Sequence, residues 1–99
     1  MAEGLILEFE GVGSEQYDAV NEILGIDMSS GEGDWPDGLI SHLGAAKDGG
    51  FVVVEVWESK QQQEAFMHDR LGQALQEGGI TAPTRVEWLR IAGYNTPGA

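Results

Sequence analysis

The chain has 99 residues, and its 17 Asp and Glu against 5 Lys and Arg give a net charge of −12. That balance repels phosphate backbones and anionic lipid, so nucleic-acid and membrane partners are not expected. There is no cysteine, which removes disulfides, thiolate metal sites and thiol nucleophiles and suits a reducing cytoplasm.

The length predicts one domain over residues 1–99. The opening Met1-Ala-Glu-Gly-Leu-Ile-Leu-Glu lacks the basic start and long apolar run of a secretion signal, and no stretch approaches the ~18 apolar residues of a membrane span. A cytoplasmic location is the expectation. Gly4 to Glu10 reads as a first strand, with Leu5, Leu7 and Phe9 on one face and Ile6, Glu8 and Glu10 on the other. Ser14 is positioned as an N-cap, and Tyr17, Val20, Ile23 and Leu24 fall at helical spacing, so Ser14 to Leu24 is an amphipathic helix stopped by Gly25. Asp27 to Gly38 is the longest irregular stretch. It is either a lid over a site or a surface loop whose Trp35 packs over the sheet edge.

Leu39 to Ala46 and Phe51 to Trp57 read as two strands joined by a tight Asp48-Gly49 turn, for which Asp-Gly supplies positive backbone angles. That turn pairs Ala46 with Phe51, Gly44 with Val53, His42 with Glu55 and Ile40 with Trp57. All eight then share one face. Ser59 with Gln62 makes a capping-box pattern for a second helix, whose stripe is Phe66, Met67, Leu71, Ala74, Leu75 and Gly78. Gly78-Gly79 ends it, Thr81 to Thr84 is a linker, and Thr84 to Ala92 is a last strand with Val86, Trp88 and Arg90 on one face.

The order is β-α-β-β-α-β, the split βαβ or ferredoxin-like pattern. It predicts an α+β fold: a four-stranded antiparallel sheet with two helices on one face. Both faces of the Phe51–Trp57 strand are apolar, so the uncovered sheet face calls for a second layer, expected to be another copy of the chain.

His42 beside Glu55 is the sharpest candidate for chemistry. A neutral imidazole can take a proton from a phenol or enol, and a carboxylate opposite fixes one tautomer. The alternative is a structural His–Glu pair. Tyr17 on the covering helix can hydrogen-bond a substrate oxygen or simply belong to the core. Trp57, Phe66, Trp35 and Trp88 can stack on a planar ligand. Arg90 can bind an anionic oxygen or pair with an acid of a second copy. The two histidines lack metal-ligand spacing, so no metal site is expected. Neither a phosphate-binding loop nor a serine elbow is present.

Pro36-x-Gly38-Leu39-Ile40-x-His42, then Asp48-Gly-Gly50-x-Val52-Val53-x-Glu55-Val56-Trp57-Glu58-Ser59, then Phe66 with Leu71 and Leu75, resembles the dimeric α+β-barrel proteins of the antibiotic biosynthesis monooxygenase-like group. The resemblance runs from the first strand to Ile91. It implies a homodimer whose two sheets close into a barrel, with a pocket for a small hydrophobic or aromatic ligand in each subunit. Some members oxygenate aromatic polyketides with dioxygen and no cofactor; others cyclise polyketides, degrade haem, or have no assigned activity. The haem-degrading branch uses an Asn, a Trp and a His. Here the Trp and His positions fall on Phe66 and Gln76, and the first strand has no Asn, so haem degradation is not expected. Two functions remain. One is a cofactor-independent monooxygenase or cyclase with His42 as base, Glu55 as its orienter and Tyr17 on the substrate oxygen. The other is a non-catalytic homodimer that binds a small ligand or serves as an accessory subunit.

Overall fold

A computed structural model describes residues 2–95 and Pro97. The elements are β1 (Glu3–Glu10), α1 (Ser14–Leu24), β2 (Ile26–Asp27), β3 (Glu32–Gly33), β4 (Leu39–Lys47) and β5 (Gly50–Trp57). Then α2 (Lys60–Phe66) runs through a π-helical turn (Met67–Leu71) into α3 (Gly72–Glu77), and β6 (Arg85–Arg90) closes the chain. β4, β5, β1 and β6 form one antiparallel sheet in that order, with β1 paired on both sides. This is the α+β, ferredoxin-like arrangement that the order of elements predicts. No helix among the described residues is long and apolar enough to cross a membrane.

The strand alternation sorts the side chains as read. Leu5, Leu7 and Phe9 of β1 and Phe51, Val53 and Trp57 of β5 are buried against Val20, Leu24, Phe66 and Ala74 of the helices. On the opposite face Val52, Val54 and Val56 are only half-buried, while Leu43 and Leu89 are exposed.

Several local expectations need correction. Ile40 does not pair with Trp57. A bulge between Leu39 and Ser41 places Leu39 opposite Trp57. The extra residue turns Leu39 toward the core and pushes Ile40 to the surface. The hairpin turn has positive φ at Gly49 alone (78°), since no non-glycine residue described takes one. Asp48 therefore does not share the mirror-image conformation of a type I′ turn. Ser14 is the first helical residue rather than the cap. Gly13 is the N-cap, and its N–H donates to Gln16 Oε1 at 2.7 Å. Ser59 does cap α2: its Oγ accepts the Gln62 N–H and donates to Gln62 Oε1 at 3.0 Å.

The irregular stretch after α1 contains the small β2–β3 ribbon and then lays Trp35-Pro36 against the core. Arg70, in the π-helical turn, holds it there. Its guanidinium donates to Leu24 O at 2.9 Å and Asp34 O at 2.7 Å and lies over the Phe66 ring. The π turn also explains the stripe on this helix. Phe66 and Leu71 are five residues apart, one more than an α-turn accommodates on one face, and both reach the same hollow.

Candidate active site

Between the sheet and the helices lies an apolar hollow, open over about 60 Å³ to the centres of water-sized spheres. Its floor is β1, β4 and β5, its roof is α1 and the second helix, and Trp35 and Pro36 stand at its side. Three polar side chains of its wall, His42, Glu55 and Tyr17, are hydrogen-bonded to one another. His42 and Glu55 face each other across β4 and β5, as the hairpin register requires, with His42 Nδ1 2.6 Å from Glu55 Oε2. Tyr17 descends from α1 and places Oη 2.5 Å from His42 Nε2.

Gly44 makes that approach possible. A Cβ built there would lie 2.5 Å from Tyr17 Cζ, so the phenol ring occupies the space a side chain would fill. The Tyr17 ring stacks on His42 with 7° between planes and packs on Phe51 at 4.6 Å.

Glu55 is 5% exposed, and Trp57 Nε1 donates to its second oxygen, Oε1, at 2.9 Å. A carboxylate only accepts, so the neutral imidazole carries its proton on Nδ1 and offers the Nε2 lone pair to the Tyr17 hydroxyl. The result is a directional chain: Tyr17 O–H to His42, His42 N–H to Glu55, with the Trp57 indole fixing the carboxylate from behind. Burial lifts the Tyr17 phenol above its ordinary pKa. The Asn21 amide opposes the lift without reaching hydrogen-bond geometry, and the Glu55 and Asp18 carboxylates add to it. The phenol therefore stays protonated at neutral pH.

The hollow brings together Tyr17, His42, Glu55, Trp35 and Phe66. Trp57, Trp88 and Arg90 do not line it. Trp57 is fully buried beside Phe66 and reaches the site only through Glu55. Trp88 and Arg90 sit on β6, the sheet edge farthest from β4, where Trp88 lies under Lys60 and Arg90 is exposed opposite Glu3. A shared strand face does not reveal which end of the sheet order a residue occupies. Asn21 was missed in the sequence. Its signal is a polar residue one turn beyond Tyr17, inside the apolar stripe of α1. Among the described residues no three His, Cys, Asp or Glu cluster as a metal site would need.

A ferredoxin-like sheet backed by helices, with a polar chain at the wall of an apolar hollow, defines the class of protein at the level of fold. No protein-family model matches the chain, and no curated protein matches it by sequence. Solved structures match it nearly end to end. One is a Chloroflexus aurantiacus protein provisionally named an antibiotic biosynthesis monooxygenase: 22% identity, TM-score 0.62, covering 96% of this chain and 98% of that one. A Nitrosomonas europaea protein of unknown function is 15% identical, with TM-score 0.62 and coverage of 99% and 94%. A Deinococcus radiodurans protein, also provisionally named an antibiotic biosynthesis monooxygenase, is 13% identical, with TM-score 0.58 and full coverage of both chains. The chain shares its fold with these proteins, as the motifs of its hairpin and second helix predict.

Proposed function

We propose that the chain is a cytoplasmic, homodimeric, cofactor-independent enzyme that deprotonates a small aromatic or polyketide-like enol or phenol. The observation that carries this reading is the Tyr17–His42–Glu55 chain in the wall of an apolar hollow. A substrate hydroxyl gives its proton to Tyr17 Oη as Tyr17 passes its own to His42 Nε2. The imidazolium formed is stabilised by the Glu55 carboxylate, and Tyr17 ends as it began, protonated. His42 remains the base, with Tyr17 as the contact that carries the proton.

The enolate left behind is electron-rich at carbon. In an oxygenase that carbon reduces dioxygen, and the hydroperoxide formed loses water, so that CH₂ and O₂ become C=O and H₂O. In a cyclase the same carbon attacks a carbonyl of the substrate and closes a ring with no oxidant. The names of the C. aurantiacus and D. radiodurans structures favour the first. His42→Ala is expected to bind substrate and to lose turnover by about 10²–10⁴-fold, measured as oxygen uptake and product formation. Unaltered turnover on a genuine substrate would remove His42 as base.

One observation favours a non-catalytic ligand-binding or accessory role. Every polar atom of the His42 ring is already satisfied, as in a structural network. On that reading His42→Ala costs stability or the dimer, and no substrate is turned over by the wild type.

The uncovered sheet face supports the homodimer. Val52, Val54 and Val56 with the exposed Leu43 and Leu89 make an apolar surface that a second copy would bury. Leu43→Glu is expected to convert a dimer at micromolar concentration into a folded monomer in sedimentation. A wild-type monomer at that concentration would contradict the assembly.

A further inference from the structure

Asn21 is the polar group in the wall of the hollow that the proton chain does not use. It lies on α1 one turn after Tyr17, between Val20 and Leu24, and is only 8% exposed. Its Nδ2 has no hydrogen-bond partner among the described residues. A buried donor without an acceptor destabilises the fold, and a leucine would continue this stripe better. Asn21 borders two concave spaces, this hollow and a more open cleft with Asp18 and Met28, and only the hollow also presents Tyr17 and His42.

The size of the hollow limits the ligand. Water needs roughly 10–15 Å³ of such space and occupies about 30 Å³ of liquid, so 60 Å³ corresponds to roughly four to six waters, or on the order of 120–180 Å³ of molecule. That is one substituted ring. Side chains four residues apart on a helix have Cβ atoms about 5–6 Å apart, a span that one ring with two oxygens can bridge.

We propose that Asn21 Nδ2 donates to a carbonyl oxygen of the ligand, and that the ligand is a single-ring phenol or enol whose hydroxyl meets Tyr17. The proposal rests on the hollow being the ligand site and needs no proton transfer. Asn21 then fixes which oxygen faces the Tyr17–His42 pair.

The test uses two probes of nearly equal shape, 3-hydroxyacetophenone and 3-isopropenylphenol, in which a CH₂ group replaces the carbonyl oxygen. Binding is read by calorimetry and by quenching of tryptophan fluorescence. The wild type should bind the ketone roughly tenfold more tightly, the usual effect of one hydrogen bond to a buried donor. In Asn21→Leu the preference should disappear while the midpoint of thermal unfolding of the empty protein holds or rises. Equal binding of the two probes by the wild type, or an unchanged preference in Asn21→Leu, would overturn the role of Asn21 and leave the hollow as the ligand site. Unfolding of Asn21→Leu would mark the amide as structural and also overturn it. Failure of the wild type to bind either probe would overturn the ligand site itself.

Discussion

Two clusters of ionisable side chains in this chain have nearly the same contact distance and different surroundings. Glu55 Oε2 lies 2.6 Å from His42, and Glu8 Oε1 lies 2.7 Å from Lys47. His42 and Glu55 side chains are 12% and 6% exposed, against 47% for Lys47 and 21% for Glu8. The first cluster lies under α1 in an apolar hollow. The second lies on the open sheet face, where Arg85 also approaches Glu8 and pairs with Glu87. In the single chain water screens the second cluster and leaves the first to be stabilised only by its own partners. Distance alone does not rank the two; access to solvent does.

The strongest way to break the contrast is Glu55→Ala. It strands His42 and the Trp57 N–H in the interior and should cost about 3–5 kcal/mol in urea unfolding. A loss comparable to that of a surface substitution would put both clusters in the same class.

Gly44→Ala comes next. The new methyl group meets the Tyr17 ring, and overpacking of this kind costs about 1–3 kcal/mol. It should also move Tyr17 off His42, so any turnover should fall further than stability does.

Tyr17→Phe removes one hydroxyl and should cost about 0.5–1.5 kcal/mol. It also sharpens the contrast through pH. The Tyr17 pKa is raised on folding, so its contribution is complete below the ordinary tyrosine value near ~10 and is lost as pH climbs through the higher folded value. Wild type should therefore lose more stability than Tyr17→Phe across that alkaline window.

Glu8→Gln should have the smallest effect, a barely shifted unfolding midpoint that vanishes in high salt. Lys47 and then Arg85 hold the Glu8 carboxyl below its ordinary value. Its contribution is present above the ordinary carboxylate pKa and lost as pH falls through the folded value, so the variant should show a slightly flatter acid limb.

The first cluster was legible in the sequence because one short turn decides it. Asp48-Gly49 fixes the register of β4 against β5, and side-chain alternation then sets His42 opposite Glu55 and Gly44 two residues along on the same face. Tyr17 follows from helical spacing, once α1 is known to cover that face. The βαββαβ order is equally local, since each element carries its own periodicity and stop. What escaped depends on contacts between distant parts of the chain. The bulge at Ile40 answers to the packing of Leu39, not to any propensity of its own. Arg70, 36 residues from Asp34, seats the Trp35 segment through the Leu24 and Asp34 carbonyls and the Asp34 carboxylate, a meeting that local spacing does not reveal. Trp88 and Arg90 were misplaced because strand order along a sheet is a tertiary property. Asn21 interrupts the apolar stripe of α1, and only its burial separates it from the other polar residues of that helix.

The account depends on a buried imidazole that can accept a proton from a hydroxyl in the hollow by way of Tyr17. The visible absorption of bound 4-nitrophenol reads this directly, because the phenol and its phenolate differ in colour. Below the pH at which free 4-nitrophenol ionises, the probe should be bound as the phenolate by wild type and as the neutral phenol by His42→Ala. Neutral 4-nitrophenol held in the wild-type hollow, under conditions where binding is saturated, would contradict the proton chain.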